Sequence, residues 1–184
     1  MQKTLRNIVS LLSENRVEYA VIGGLANSFY GNPRATQDID ILISCENNRQ
    51  SLLIRQLERQ YTILPKNPLE FIQQTKVLPI KDKQTNVTID LVFSLIPFED
   101  AAIKKAKKIK IFDIDTRIIT LENLIIMKLV SDRIKDIDDV KFLVKSNMEK
   151  IDWKYLETKV EELSLLLETN TIMKKFNEFR KEGR

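Results

Sequence analysis

The stretch Asp38-Ile39-Asp40-Ile41-Leu42-Ile43-Ser44 constrains this chain more than any other part of it. It is rich in β-branched residues and opens by alternating charged with apolar side chains, so it reads as a β-strand. Residues two apart on a strand share a face. Asp38 and Asp40 therefore project together, while Ile39, Ile41 and Ile43 fill the other side. Two carboxylates held that close repel each other unless a cation lies between them. Taken alone, the pair would equally describe a solvated strand start. A second strand, residues 87–93, carries Asp90 as its only charge. A lone carboxylate in an apolar strand has to be paired, liganded or turned to water at a rim. On a strand beside the first, it would complete a ligand set for two metal ions.

Residue usage narrows the chemistry. The 184 residues include no His and one Cys, Cys45. Ser-His-Asp and Cys-His catalysis, Cys/His zinc sites and an internal disulfide are all excluded. A catalytic metal must then sit on carboxylates, which suits Mg²⁺ or Mn²⁺. A single thiol fits a reducing compartment. No apolar run reaches membrane-spanning length. Ser13-Glu14-Asn15-Arg16 interrupts the N-terminal apolar stretch, so it does not read as a signal peptide. The expected location is cytoplasmic, with no membrane partner. The 30 basic against 26 acidic residues leave a net charge of +4, which permits a phosphate-bearing partner.

Hydrophobic spacing gives the organisation. Leu5, Ile8, Val9 and Leu12 mark a first helix that ends at Ser13 to Arg16. Tyr19 to Ile22 is a short buried strand stopped by Gly23-Gly24, and residues 25–30 form one or two helical turns before Gly31-Asn32-Pro33. Residues 49–61 read as an amphipathic helix with Leu53, Leu57 and Tyr61 on one side. Residues 77–80 and 87–93 read as a hairpin, and 109–114 as a further strand. From Leu121 the pattern is helical: 121–131, 136–146, and a third helix from Asp152 with Trp153, Leu156, Val160, Leu163 and Leu167 as its stripe. The expectation is an α+β protein. A mixed sheet flanked by helices occupies residues 1–115, and a helical part packed on it occupies 116–184.

Other residues carry two readings each. Gly23-Gly24, between strand and helix, offers backbone N–H groups to a phosphate or simply makes a tight turn. Lys128 shares a stripe with Leu121, Leu124 and Ile125, so it must snorkel or meet an anion. Asp136 reads as a helix N-cap with Asp139 at N3, or both belong to a site. Five lysines among residues 104–110 form a solvated face or a patch for a phosphate-rich acceptor, and Lys174-Lys175 and Arg180-Lys181 could extend it.

Val21-Ile22-Gly23-Gly24-Leu25-Ala26, followed by Tyr30-Gly31-x-x-Arg34-x-Thr36-x-Asp38-Ile39-Asp40-Ile41, resembles the opening motif of the nucleotidyltransferase superfamily with the DNA polymerase beta-like fold. Asp90 in Thr88-Ile89-Asp90-Leu91 stands where that superfamily carries its third carboxylate. The stretch 121–129, followed by Asp132-Arg133-x-Lys135-Asp136-x-x-Asp139, resembles the branch of small abortive-infection toxin-type members. Many superfamily members have Gly-Ser where this chain has Gly23-Gly24. The resemblance covers residues 17–145. It implies transfer of a nucleoside monophosphate from an NTP to a hydroxyl acceptor, whether RNA or tRNA, a protein or a small molecule. It also implies two metals, Mg²⁺ or Mn²⁺, on Asp38, Asp40 and Asp90. Nucleotide contacts would come from Gly23, Gly24, Arg34, Thr36 and Lys128. Asp136 and Asp139 are further candidates, and a cognate antitoxin or a second copy is the implied partner. The competing reading is a non-catalytic nucleotide- or RNA-binding protein that keeps the fold.

Overall fold

Helix α1 (Gln2–Glu14) forms because Leu5, Ile8, Val9 and Leu12 repeat on one face, and all four are buried. The computed structural model describes residues 1–33, 36–131 and 133–182. After α1 come β1 (Glu18–Val21), α2 (Gly23–Phe29), β2 (Asp38–Ser44), α3 (Asn47–Leu57), β3 (Tyr61–Ile63), α4 (Pro68–Thr75), β4 (Val77–Asp82) and β5 (Thr88–Phe93). Then follow α5 (Pro97–Lys104), β6 (Lys107–Ile111), β7 (Ile114–Ile118), α6 (Leu121–Val130), α7 (Ile134–Asn147), α8 (Trp153–Leu166) and α9 (Thr171–Glu182). Among the described residues no helix is long and apolar enough to cross a membrane.

The chain divides into two compact units, Met1–Ala26 with Ala35–Ile119, and Asn27–Arg34 with Thr120–Arg184. The first unit is built on a seven-stranded mixed sheet ordered β3-β4-β5-β2-β1-β7-β6. Strand β2 is its centre, antiparallel to β1 and parallel to β5. Ile39, Ile41, Leu42 and Ile43 on β2, with Ile89 and Leu91 on β5, are completely shielded from water. Burying each such side chain is worth roughly 1.5–3 kcal/mol, so this row fixes the register.

The second unit is helical. Thr120 caps α6 through Asn123 N–H, and Asp152 caps α8 through Tyr155 N–H. Tyr155 donates to Asn123, and Asn147 donates to the Tyr30 carbonyl, tying in the segment before position 34. Lys175 donates to the carbonyls of Leu129 and Ser131 at the end of α6, and Arg180 pairs with Glu157. These two cations therefore serve the helical unit's own packing.

Several elements depart from the sequence reading. Helix α3 stops at Leu57, and Tyr61 opens β3 instead of closing the helix. Residues 109–114 are not one strand. They belong to the two arms of a hairpin, turned by Phe112 and Asp113, both with positive φ, as a two-residue I′ turn demands. Strand β7 runs from Ile114 to Ile118. Helices α4, α5 and α9 were not anticipated. Pro68 and Pro97 near the starts of α4 and α5 were available signals, as was the Ile172, Phe176, Phe179 stripe of α9. Arg34 and Asp132 lie outside the described residues.

Tyr61 is 1% exposed, and its hydroxyl has no hydrogen-bond partner. Tyr61→Phe removes a stranded polar group and keeps the packing. It should leave stability unchanged or raise it by about 1 kcal/mol in urea unfolding.

Candidate active site

The site begins with the pairing of β2 and β5. In their parallel register Asp40 stands opposite Asp90, and Asp38 lies two residues before Asp40 on the same face. Each of the three carboxylates offers an oxygen within 4.8 Å of the others. Asp40 and Asp90 are half-buried. Burial raises the Asp90 carboxyl above the usual carboxylate range, and the charges of Asp40 and then Asp38 add to the rise.

The adjoining turn is shaped to the same carboxylates. Gly23 has φ +58, and a Cβ there would fall 1.8 Å from Asp40 Oδ2. A Cβ on Gly24 would fall 2.6 Å from Thr36 Oγ1. No other residue type fits either position without displacing Asp40 or Thr36. Gly24 N–H points at Asp40 Oδ2 at 3.4 Å, and Thr36 Oγ1 donates to Asp38 Oδ1 at 2.9 Å. Ile22 N–H donates to the Asp40 carbonyl. Turn, threonine and carboxylates thus form one constellation.

The donor set accommodates a hard divalent cation. It consists entirely of oxygens, it holds an excess of negative charge, and no His or Cys side chain is needed.

The second unit brings together Lys128, Asp136 and Asp139. Lys128 Nζ lies 2.9 Å from Asp136 Oδ1 and 2.7 Å from Asp139 Oδ2, and all three residues are at most 6% exposed. Asp139 also accepts from Asn27 at 2.9 Å and from Asn32 at 3.0 Å. Asp136 accepts from Arg133 Nε at 2.6 Å. Burial would raise the Asp136 carboxyl, but hydrogen bonds from Lys128, Ser131 and Arg133 outweigh it and hold the carboxyl below its ordinary value. Asp136 does not cap α7: the N-cap is Arg133, and Asp136 falls three residues in. Nothing in the sequence marks Asn27 and Asn32 as partners of Asp139, because both contacts join segments more than a hundred residues apart.

The five lysines among residues 104–110 end α5 and line β6, the last strand of the sheet, and all are exposed. Lysines on an edge strand discourage pairing with another chain.

Over residues 3–183 the chain matches the family described as nucleotidyltransferase of unknown function (DUF6036), and it belongs to that family. No curated protein matches the sequence significantly. Among solved structures, an antigenic nucleotidyltransferase-like protein from Paracoccidioides brasiliensis superimposes with a TM-score of 0.56 at 14% identity, over 95% of this chain and 91% of that one. The lincomycin-bound lincosamide antibiotic adenylyltransferase LnuA gives 0.51 at 18% identity, over 78% and 96%. The antibiotic-resistance factor ANT(2'')-Ia gives 0.56 at 16% identity, over 91% and 97%. The fold is that of the nucleotidyltransferases.

The crowding of Asp90 has a measurable sign. In chelator, Asp90→Asn should raise the melting temperature near pH 7. The gain should vanish as pH falls below the ordinary carboxylate pKa of about 4, where Asp90 is protonated in both the folded and the unfolded chain. In the second unit, Lys128→Ala leaves two buried carboxylates without their cation and should cost about 3–5 kcal/mol in urea unfolding. The contribution from the lowered Asp136 carboxyl is present above the ordinary carboxylate pKa and is lost as pH falls through the lowered value. Acid should therefore narrow the gap between parent and Asp136→Asn.

Proposed function

We propose that this protein transfers a nucleoside monophosphate from an NTP to a hydroxyl acceptor. The observation that carries the reading is the set of three carboxylates within 4.8 Å, built against a turn that only glycine can make. Family membership and fold support the same class of reaction.

Asp38, Asp40 and Asp90 would hold Mg²⁺ or Mn²⁺, with Asp38 and Asp40 serving the ion that accompanies the triphosphate and Asp90 completing a second position. Metal bound there would supply charge neutralisation on the phosphoryl oxygens and the leaving group. The remaining roles belong to the chain. Gly23, Gly24 and Thr36 seat the phosphates along the turn, and Arg34 joins them by the sequence resemblance. Asp90 takes the proton of the acceptor hydroxyl in this reading. The acceptor oxygen forms its bond to the α-phosphorus as the bond to the departing pyrophosphate breaks, in line. Lys128, Asp136 and Asp139 enter this reading as positioning residues. Asp139 holds Asn27, which lies one helical turn after Gly23 on α2.

The acceptor is an RNA, a protein or a small hydroxylated molecule. Two structural neighbours are described as an adenylyltransferase and a resistance factor for antibiotics, which favours including small hydroxylated compounds in any acceptor pool. The toxin-like branch, and a cognate antitoxin or a second copy as partner, rest on sequence resemblance alone.

Each α-labelled NTP, incubated with Mg²⁺ and pools of RNA, protein and small molecules, should label one pool. Asp40→Asn should cut that labelling at least about a hundredfold, on the scale of roughly 2.7 kcal/mol of transition-state stabilisation, with the melting temperature kept or raised in chelator. Mg²⁺ should raise the parent's melting temperature and lose that effect in the variant. A folded parent that consumes no NTP with any pool would leave the non-catalytic, nucleotide-binding reading in its place.

A further inference from the structure

Strands β1 and β7 are neighbours in the sheet, yet they pair in register only at Val21 and Ile118. Before that point they part. Glu18, Tyr19 and Ala20 are paired on the β2 side alone, and Asp115, Thr116 and Arg117 on the β6 side alone. The split opens a groove of about 760 Å³, bounded also by the end of α1. This lies at the opposite end of β1 from Gly23. The five residues from Glu18 to Ile22 span about 13 Å of extended chain, so the groove is separate from the carboxylate cluster.

Its lining has a definite chemistry. Arg16, Lys108 and Lys110 are exposed and contribute positive charge. Arg117 adds a guanidinium whose Nη2 donates to the Ile103 and Lys104 carbonyls and whose Nε is buried with no partner. Thr116 is 4% exposed and lines the groove, and its hydroxyl also lacks a hydrogen-bond partner. Val17 and Ile109 supply apolar surface, while Glu18 and Asp115 add acceptors. Thr116 and Arg117 are neighbours on β7, so their side chains leave opposite faces of the strand, and both unpaired atoms are closed off from solvent.

Arg16 gives a second, independent sign. Its N–H donates to Ser13 and the Val17 N–H to Leu12, which close α1 in the six-to-one pattern that normally places glycine at this position. Arg16 adopts φ +54 there, a left-handed conformation that an L side chain resists. The chain accepts that strain and sets a guanidinium at the groove's edge.

We propose that the split between β1 and β7 is a binding site for a small phosphorylated ligand of the nucleotide class. Arg16, Lys108 and Lys110 take the phosphates. Glu18 and Asp115 accept from sugar hydroxyls or base amino groups, which bare phosphate could not offer. The volume suits a ligand of that size. The proposal stands apart from the transfer reaction, since it concerns a different end of the sheet.

The test is calorimetric titration of the whole chain with ADP, with pyrophosphate and with a short single-stranded RNA, all in chelator. ADP should bind once, and the event should persist in Asp40→Asn. Arg16→Gly should weaken it at least about tenfold while raising the melting temperature, because it relieves a strained backbone. Lys110→Gln, a change at an exposed position, should weaken it without moving the melting temperature. A purely structural role would move stability and binding together, or stability alone. Three results would overturn the assignment: ADP affinity unchanged in both groove variants, ADP binding lost in Asp40→Asn, or binding of RNA with none of ADP or pyrophosphate. The last would hand the basic edge to a nucleic-acid backbone.

Discussion

The parallel pairing of β2 with β5 is the constraint on which the rest of this structure depends. It sets Asp40 opposite Asp90 with Asp38 alongside, a concentration of like charge that the fold must hold by force. Two unit charges at that spacing oppose each other by roughly 3 kcal/mol at an effective dielectric of about 20. The isoleucines and leucines behind them, fully buried on β2 and β5, each return a comparable amount, and there are several. Packing therefore wins, and it wins only in this register. A slip by one residue would drive the carboxylates into the core and the isoleucines to the other face. The double glycine follows from the same constraint, since a side chain at either position would collide with Asp40 or Thr36.

The helical unit resolves a charge problem in the opposite way. Lys128 is buried, and its cost is met by two carboxylates that are themselves supplied with further donors, Arg133 on one and Asn27 and Asn32 on the other. A buried ion pair satisfied on all sides contributes little net stability, but removing one member leaves the others stranded. Its value lies in geometry, because Asp139 binds both ends of the segment 27–32 in one arrangement. The lysine network is charge compensated within the helical unit.

The edge of the sheet shows how one residue type can satisfy two demands. Lysines on β6 keep an exposed strand from recruiting another chain, and two of them also face the groove where β1 and β7 separate. Beside that parting, the Thr116 hydroxyl and the Arg117 Nε are buried without hydrogen-bond partners. Sheets normally avoid this, which makes the few unsatisfied groups there informative.

Much of this was legible in the chain itself. Period-two alternation placed Asp38 and Asp40 on one face, and the absence of His left carboxylates as the only metal donors. The solitary charge in residues 87–93 singled out Asp90. Each of these is a local property, set by spacing along a few residues. Tyr61 misled because it falls on the helical stripe of Leu53 and Leu57 by coincidence, and only β4 beside it makes a strand of it. Asp136 has the composition of a cap, but the turn begins at Arg133, and its partner is a lysine from another helix. The partners of Asp139 and the split between β1 and β7 could not be read at all. Spacing determines which face a side chain takes within its own element. Which other segment meets that face depends on the order in which strands and helices assemble, and no local pattern encodes that order.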